Sequence, residues 1–87
     1  MKVQLGRLLA TPQALSAIEP EDVVGAIQRH AQADWGDVCR DDWSLNDEAL
    51  QEEGRLLSVY HDRNGVKFWI ITEADRSATT VLLPDDY

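Results

Sequence analysis

Cysteine and long hydrophobic runs are scarce in this chain of 87 residues. The single cysteine, Cys39, excludes an intramolecular disulfide and is typical of a reducing compartment, so we expect a cytoplasmic protein. No apolar run is long enough to cross a membrane. The N-terminal residues also lack the continuous apolar segment of a signal peptide, because Gln4, Gly6 and Arg7 interrupt it. We therefore expect no membrane partner.

Motifs for common chemistries are absent as well. The five glycines are isolated, so there is no glycine-rich phosphate loop, and no G-x-S-x-G elbow frames a serine. Residues of the types that bind metal ions do occur, but their spacing matches no standard zinc or calcium template. This set comprises His30, Asp34, Asp37 and Cys39, with His61 as a further member. The sequence therefore predicts neither a metal nor a cofactor.

Basic residues are few, with 8 Lys and Arg against 16 Asp and Glu and a net charge of -8. Most of the excess lies between Asp34 and Glu53, where eight acids accompany one base, Arg40, and the local sum is -7. Direct binding to nucleic acid is therefore not expected, since phosphates require cations. A basic or nucleic-acid-binding protein is the partner that this charge favours.

The length predicts one domain over residues 1–87, and a composition of 44% hydrophobic and 28% charged residues is typical of a folded chain. The patterns predict an α+β fold with about three N-terminal helices packed on a C-terminal antiparallel meander. The first helix begins at Thr11-Pro12 and ends before Pro20, where the second begins. The second reaches about Ala33, and the third runs from between Asp41 and Ser44 to a cap at Gly54. A short N-terminal edge strand is expected at Lys2–Leu5.

The meander is predicted from three strand-like segments, at Arg55–His61, Lys67–Ala74 and Thr79–Leu83. Asn64-Gly65 favours a two-residue type I′ turn. That turn would place Tyr60 opposite Trp69, and the next turn would place Ile71 opposite Leu82.

Both faces of the predicted sheet are apolar. One face, the expected core, comprises Leu57, Val59, Phe68, Ile70, Val81 and Leu83, and the other comprises Leu56, Tyr60, Trp69, Ile71 and Leu82. An antiparallel sheet with one solvated face should alternate more clearly. Either further chain or a partner must therefore cover the second face, and a homodimer formed around Tyr60 and Trp69 is one hypothesis.

Two candidate sites follow. The first is the acidic third helix, which is either solvated surface or a surface that imitates nucleic-acid phosphates. Its carboxylates are Asp41, Asp42, Asp47, Glu48, Glu52 and Glu53. The second is a small enzyme or ligand-binding site in which Glu73, Asp75 and Arg76 lie near His30 or His61. Hairpin turn chemistry also explains these residue types.

Three segments carry a resemblance: DWGDVC at 34–39, RLLSVYH at 55–61 and WIITEADRSATTVLLPDDY at 69–87. They resemble a family of small uncharacterised bacterial proteins associated with plasmids and integrated mobile elements. The resemblance implies an accessory role in mobile-element biology and brings no catalytic residues. With the charge, it predicts a non-enzymatic protein-binding module, in particular an anti-restriction or anti-CRISPR inhibitor of host DNA defence.

Overall fold

A computed structural model describes residues 2–87. This part of the chain forms three α-helices and a four-stranded mixed sheet with a short 3-10 turn at its end. The elements are β1 (Arg7–Ala10), α1 (Pro12–Ala17), α2 (Pro20–Ala31), α3 (Arg40–Glu52), β2 (Leu56–His61), β3 (Lys67–Thr72), β4 (Ala78–Leu82) and the turn Pro84–Asp86. The strand order is β1-β4-β3-β2. The α+β class is confirmed. Strands β2, β3 and β4 pair antiparallel in chain order, but the predicted three-stranded antiparallel sheet is instead part of a four-stranded mixed sheet, and β1 precedes the helices.

The first two helices begin where the sequence predicts. The Thr11 hydroxyl accepts a hydrogen bond from the Ala14 amide at 3.1 Å and caps α1, and Pro12 occupies its first turn. Pro20 opens α2, which ends at Ala31, two residues before the predicted end.

The turn between β2 and β3 differs from the prediction. The Asp62 amide donates to the Val66 carbonyl at 3.0 Å, which encloses a three-residue loop with Gly65 at φ +82°. The Asp62 carboxylate stabilises this loop by accepting the amides of Asn64 and Val66 at 2.8 and 2.9 Å. The predicted two-residue type I′ turn is therefore wrong.

The longer loop shifts the pairing of β2 by one residue. Tyr60 lies opposite Phe68, and Val59 lies opposite Trp69. Because side chains alternate between faces, a one-residue shift reverses every side chain of the strand. Leu56 and Tyr60 face the helices and are buried, whereas Leu57 and Val59 lie on the outer face, so the predicted faces of β2 are wrong.

The pairing of β3 with β4 differs from the prediction by two residues, since Leu82 lies opposite Trp69 rather than Ile71. A two-residue shift keeps each side chain on its face. Phe68, Ile70 and Val81 accordingly occupy the predicted core.

The N-terminal strand is displaced along the chain. Lys2–Leu5 is not a strand, and β1 at Arg7–Ala10 instead pairs in parallel with β4. The amides of Lys2 and Val3 donate to the Ala31 carbonyl at 2.9 and 3.1 Å, so this segment is anchored at the end of α2. The predicted edge strand is therefore misplaced.

Two apolar clusters fill the inner side of the sheet. Residues from α1 and α2 pack on the centre of the sheet against Phe68 and Ile70. Trp35, fully buried, packs with Val3 and Leu56 to form the second cluster beside α3.

Strand β2 is an edge strand whose free edge is covered by the chain itself. The Val59 amide donates to the Trp35 carbonyl at 3.1 Å, and the Val59 carbonyl accepts the Asp37 amide at 2.7 Å. Between them Gly36, at φ +76°, approaches so closely that a Cβ would collide with the Val59 carbonyl and the Tyr60 ring. The segment 35–37 thus protects this edge from pairing with another chain.

The tail after β4 covers part of the outer sheet face. The Thr11 hydroxyl donates to the Asp86 carboxylate at 2.6 Å, and the same carboxylate accepts the Leu83 amide at 3.0 Å. This contact places the Tyr87 ring edge-on to Trp69, with ring centroids 5.7 Å apart.

Candidate partner-binding site

Helix α3 is fixed against β2 by one polar clamp and an apolar side. The buried Asn46 amide donates to the Leu57 carbonyl at 2.7 Å, and its oxygen accepts the Leu57 amide at 3.1 Å. Trp43 and Leu50, on the same side of the helix, pack against the Trp35 cluster. These contacts set the rotation of α3 and determine which residues point away from the protein.

The opposite side of α3 forms what we call the acidic stripe: Asp41, Leu45, Glu48 and Glu52. Residues at these intervals of four, three and four lie within one narrow sector of a helix. All four are exposed, and Leu45, at 59% exposure, lies between the carboxylates. The stripe therefore combines a protruding apolar group with negative charge on either side of it.

Three further carboxylates flank the stripe, those of Asp42, Asp47 and Glu53. Asp47 accepts the Trp35 indole N–H at 3.0 Å, which ties it to the second core cluster. Within residues 2–87 no ion pair includes any of the carboxylates of Asp41–Glu53. The carboxylates of this surface therefore form no close ion pair with the cations of residues 2–87.

The end of α3 is unusual in its charge. Glu53 takes a left-handed conformation, φ +59°, and Glu52 precedes it, so two acids lie at the negative end of the helix dipole. The Arg76 guanidinium donates to the carbonyls of Gly54 at 2.6 Å and Ala49 at 3.2 Å. Arg76 thus caps the backbone of α3 while the two carboxylates remain in solvent.

The predicted polar site is dispersed. Glu73 forms an ion pair with Arg55 at 3.5 Å, and Asp75 accepts the Ser77 amide at 3.0 Å within the turn. Arg76 extends to α3 instead. The three side chains have separate partners and do not converge on one cavity.

His30, the fourth residue of that candidate site, is fully buried in a chain of hydrogen bonds. Its Nδ1 lies 2.6 Å from the Ser58 hydroxyl, and its Nε2 lies 2.8 Å from the Thr72 hydroxyl. Thr72 lies 2.7 Å from the Thr79 hydroxyl, which donates to the Leu5 carbonyl at 2.7 Å. Because that carbonyl can only accept, each preceding group must donate towards it. His30 therefore carries its proton on Nε2 and accepts the Ser58 hydroxyl at Nδ1.

This chain of hydrogen bonds is structural. Burial, with a smaller effect of the positive charge of Arg76, lowers the pKa of His30 to about 4, so the ring is neutral at physiological pH. Ser58 next to a histidine resembles a nucleophile and base, but both are shielded from solvent. The sequence does not predict that Ser58, Thr72 and Thr79 meet at His30, although polar residues at inward positions of apolar strands are a usable signal.

The ligand-type residues are also separated. Asp37 and His61 meet at 2.7 Å, whereas Asp34 pairs with Arg29 at 2.8 Å, which helps hold the pKa of Asp34 below its usual value. Cys39 is exposed, and His30 is buried and hydrogen-bonded to Ser58. Over residues 2–87, no three side chains of the ligand types come together in a way that could hold a metal ion.

Tyr60 and Trp69 lie on opposite faces of the sheet. The Tyr60 hydroxyl donates to the Asp34 carbonyl at 2.5 Å, and burial raises the pKa of Tyr60 to about 12. Trp69 lies on the outer face against Tyr87. The predicted placement of Tyr60 and Trp69 on one shared surface is therefore wrong.

Comparisons with protein-family models, with curated proteins and with solved structures find no match. Within residues 2–87, no helix has the length and apolar character that crossing a membrane requires.

Proposed function

We propose that this protein is a non-enzymatic module that binds a basic partner protein through the acidic stripe of α3 and its flanking carboxylates. The observation that carries the proposal is the set of exposed carboxylates from Asp41 to Glu53, which no cation of residues 2–87 pairs with. A surface of this kind attracts a positively charged groove over long range and speeds its association.

The density of charge supports a phosphate-like surface. Six carboxylates lie between Asp41 and Glu53, and twelve residues of helix rise about 18 Å. The spacing is therefore about one charge per 3 Å, close to the one phosphate per ~3.4 Å of a single DNA strand. This average counts carboxylates on all sides of the helix. The stripe alone carries three of them over eleven residues, about 16 Å of helix, or roughly one charge per 5 Å.

Leu45 adds an apolar contact to this charge. An isolated exposed leucine needs no explanation. Leu45 differs because carboxylates lie one turn before it and one turn after it, at Asp41 and Glu48. A central apolar residue with a charged rim is the usual arrangement of a protein interface. This arrangement favours a protein over a small cation as the partner.

The acids near the end of α3 do not help the helix to form. Carboxylates at a helix C-terminus oppose the dipole, and like charges four residues apart repel, as Glu48 and Glu52 do. Folding alone would therefore favour neutral or basic residues at these positions. Their presence supports a role in binding.

Among basic partners, the proposal favours a nucleic-acid-binding protein whose groove the acidic stripe occupies. Together with the resemblance to plasmid and mobile-element proteins, this suggests an inhibitor of host DNA defence, of the anti-restriction or anti-CRISPR type. Such an inhibitor competes with DNA for one groove, and salt weakens both contacts.

A capture experiment tests the proposal. The immobilised protein is exposed to a bacterial lysate, and bound proteins are eluted in a salt gradient or with duplex DNA and identified by mass spectrometry. We expect a nucleic-acid-binding protein that is released by salt and displaced by duplex DNA. The variant Asp41→Asn/Glu48→Gln/Glu52→Gln should lose it, and Leu45→Ala should weaken binding without changing its salt dependence.

The matched control carries the same change in charge elsewhere. Glu21→Gln/Asp75→Asn/Asp85→Asn also moves the net charge from -8 to -5, but the changes lie on α2, a turn and the tail. We expect this variant to retain the partner. If both variants lose the partner equally, net charge rather than the acidic stripe explains the binding. If the stripe variant still captures the partner, the proposal is refuted.

A further inference from the structure

A small pocket lies on the outer sheet face beneath the C-terminal tyrosine. Its floor is formed by Leu57 and Ile71, its walls by the rings of Trp69 and Tyr87, and its rim by Arg55. The volume is about 250 Å³. That is room for several waters, at about 30 Å³ each, but less than the ~300 Å³ or more of a typical drug-sized site. The occupant must therefore be small, with about one ring.

The rim supplies one cationic group with unused donors. Arg55 donates one hydrogen bond, from Nη1 to the Tyr87 hydroxyl at 2.6 Å. Its ion pair with Glu73 is 3.5 Å long, well beyond the ~2.8 Å of a charge-assisted hydrogen bond. The guanidinium has five N–H groups arranged to receive a carboxylate in a bidentate manner. Arg55 is half exposed and can therefore bind an anion at the pocket mouth.

One residue of the wall, Trp69, carries a polar group without a partner within residues 2–87. The Trp69 indole N–H is shielded from solvent and donates to no acceptor within residues 2–87. Buried donors are nearly always paired, and an exception requires an explanation. The Tyr87 ring beside it is 70% exposed. An exposed aromatic ring and an indole whose N–H has no partner within residues 2–87 thus both line the pocket.

We propose that this pocket binds a small aromatic carboxylate, with the ring between Trp69 and the Leu57–Ile71 floor and the carboxylate on Arg55. The aromatic walls favour a flat ring, which can stack offset or edge-on. The donors of Arg55 that the long contact with Glu73 leaves free can hold a second carboxylate at the pocket mouth. The pocket lies on the sheet and does not include α3, so this site is independent of the acidic stripe.

The test uses phenylacetate as probe, with phenylacetamide and phenethylamine as its neutral and cationic counterparts. Binding to the ¹⁵N-labelled protein is followed through the indole N–H resonances, assigned with Trp69→Phe. We expect phenylacetate to shift the Trp69 resonance at concentrations up to about 10 mM, with at least tenfold weaker binding of the amide and the amine. Arg55→Gln should remove this preference for the carboxylate.

Lys67→Gln is the matched control, because Lys67 is an exposed cation on the same sheet face outside the pocket. It should bind phenylacetate within twofold of the unaltered protein. No shift of the Trp69 resonance, equal binding of all three probes, or equal loss in both variants would overturn the proposal. A dimer by light scattering that phenylacetate does not dissociate, and that Trp69→Ala abolishes, would assign this face to a second copy instead.

Discussion

At the scale of single residues, His30 contributes to the response of the fold to acid. The pKa of His30 is about 4 in the folded protein and about 6.5 when unfolded. As the pH falls, the unfolded chain therefore takes up the proton before the folded protein does. The contribution of neutral His30 to the unfolding free energy is fully present above pH 6.5 and is lost as the pH falls towards 4. The gap between the two pKa values corresponds to about 3 kcal/mol.

Urea unfolding between pH 7 and pH 4 measures this loss, and NMR titration of His30 measures its pKa directly. His61→Gln is the control, since His61 is exposed and pairs with Asp37 at the surface. The control should keep most of the acid-induced loss. A His30 pKa near 6.5 in the folded protein would contradict the proposed origin of the effect.

We expect the buried Thr79 hydroxyl to contribute to the stability of the fold. This hydroxyl accepts a hydrogen bond from the buried Thr72 hydroxyl and donates one to the Leu5 carbonyl. Thr79→Val keeps the shape but leaves the buried Thr72 hydroxyl and the partly buried Leu5 carbonyl without this partner, so we expect a loss of about 2 kcal/mol of unfolding free energy. Thr80→Val, on the outer face of the same strand, should change stability by less than about 0.5 kcal/mol.

At the scale of elements, the end of α3 is strained by one residue. Glu53 occupies the left-handed region at φ +59°, where glycine is favoured, although Gly54 follows it directly. Glu53→Gly relieves this strain and removes a carboxylate from the negative end of the dipole. We expect a gain of about 1 kcal/mol in urea unfolding. Glu52→Gly, within the last turn, should lower stability, and a loss in both variants would contradict the role assigned to the cap.

The same elements show what local sequence can predict. Thr11-Pro12 and Pro20 located the helix starts because capping and proline geometry act over a few residues. Asn64-Gly65 located the hairpin, but the carboxylate of Asp62 selects a longer loop and so reverses β2. The parallel pairing of β1 with β4 joins residues about seventy positions apart, and no local pattern encodes that contact.

In the candidate sites too, local features could be predicted from the sequence and long-range contacts could not. The acidic residues of α3 were evident from composition, and helical periodicity places Asp41, Glu48 and Glu52 on one face. The contacts of Arg76 with α3 and of Tyr87 with Trp69 depend on the tertiary fold, so the sequence did not reveal them.

At the scale of the whole molecule, charge and stability oppose one another along α3. Glu48 and Glu52 repel each other and lie towards the negative end of the helix, so Glu48→Gln/Glu52→Gln should raise the unfolding free energy by about 0.5–1 kcal/mol at low salt. At about 1 M salt, where the screening length falls to ~3 Å, this gain should largely vanish. Urea unfolding at the two salt concentrations measures it.

Asp41→Asn gives the opposite sign for stability, because Asp41 lies in the first turn and favours the helix dipole. Both variants should nevertheless weaken capture of the basic partner, since each removes charge from the acidic stripe. A stripe that served only the fold would be expected to stabilise it at both ends. If the Glu48→Gln/Glu52→Gln variant is more stable but binds the partner more weakly, these carboxylates are binding groups that lower the stability of α3.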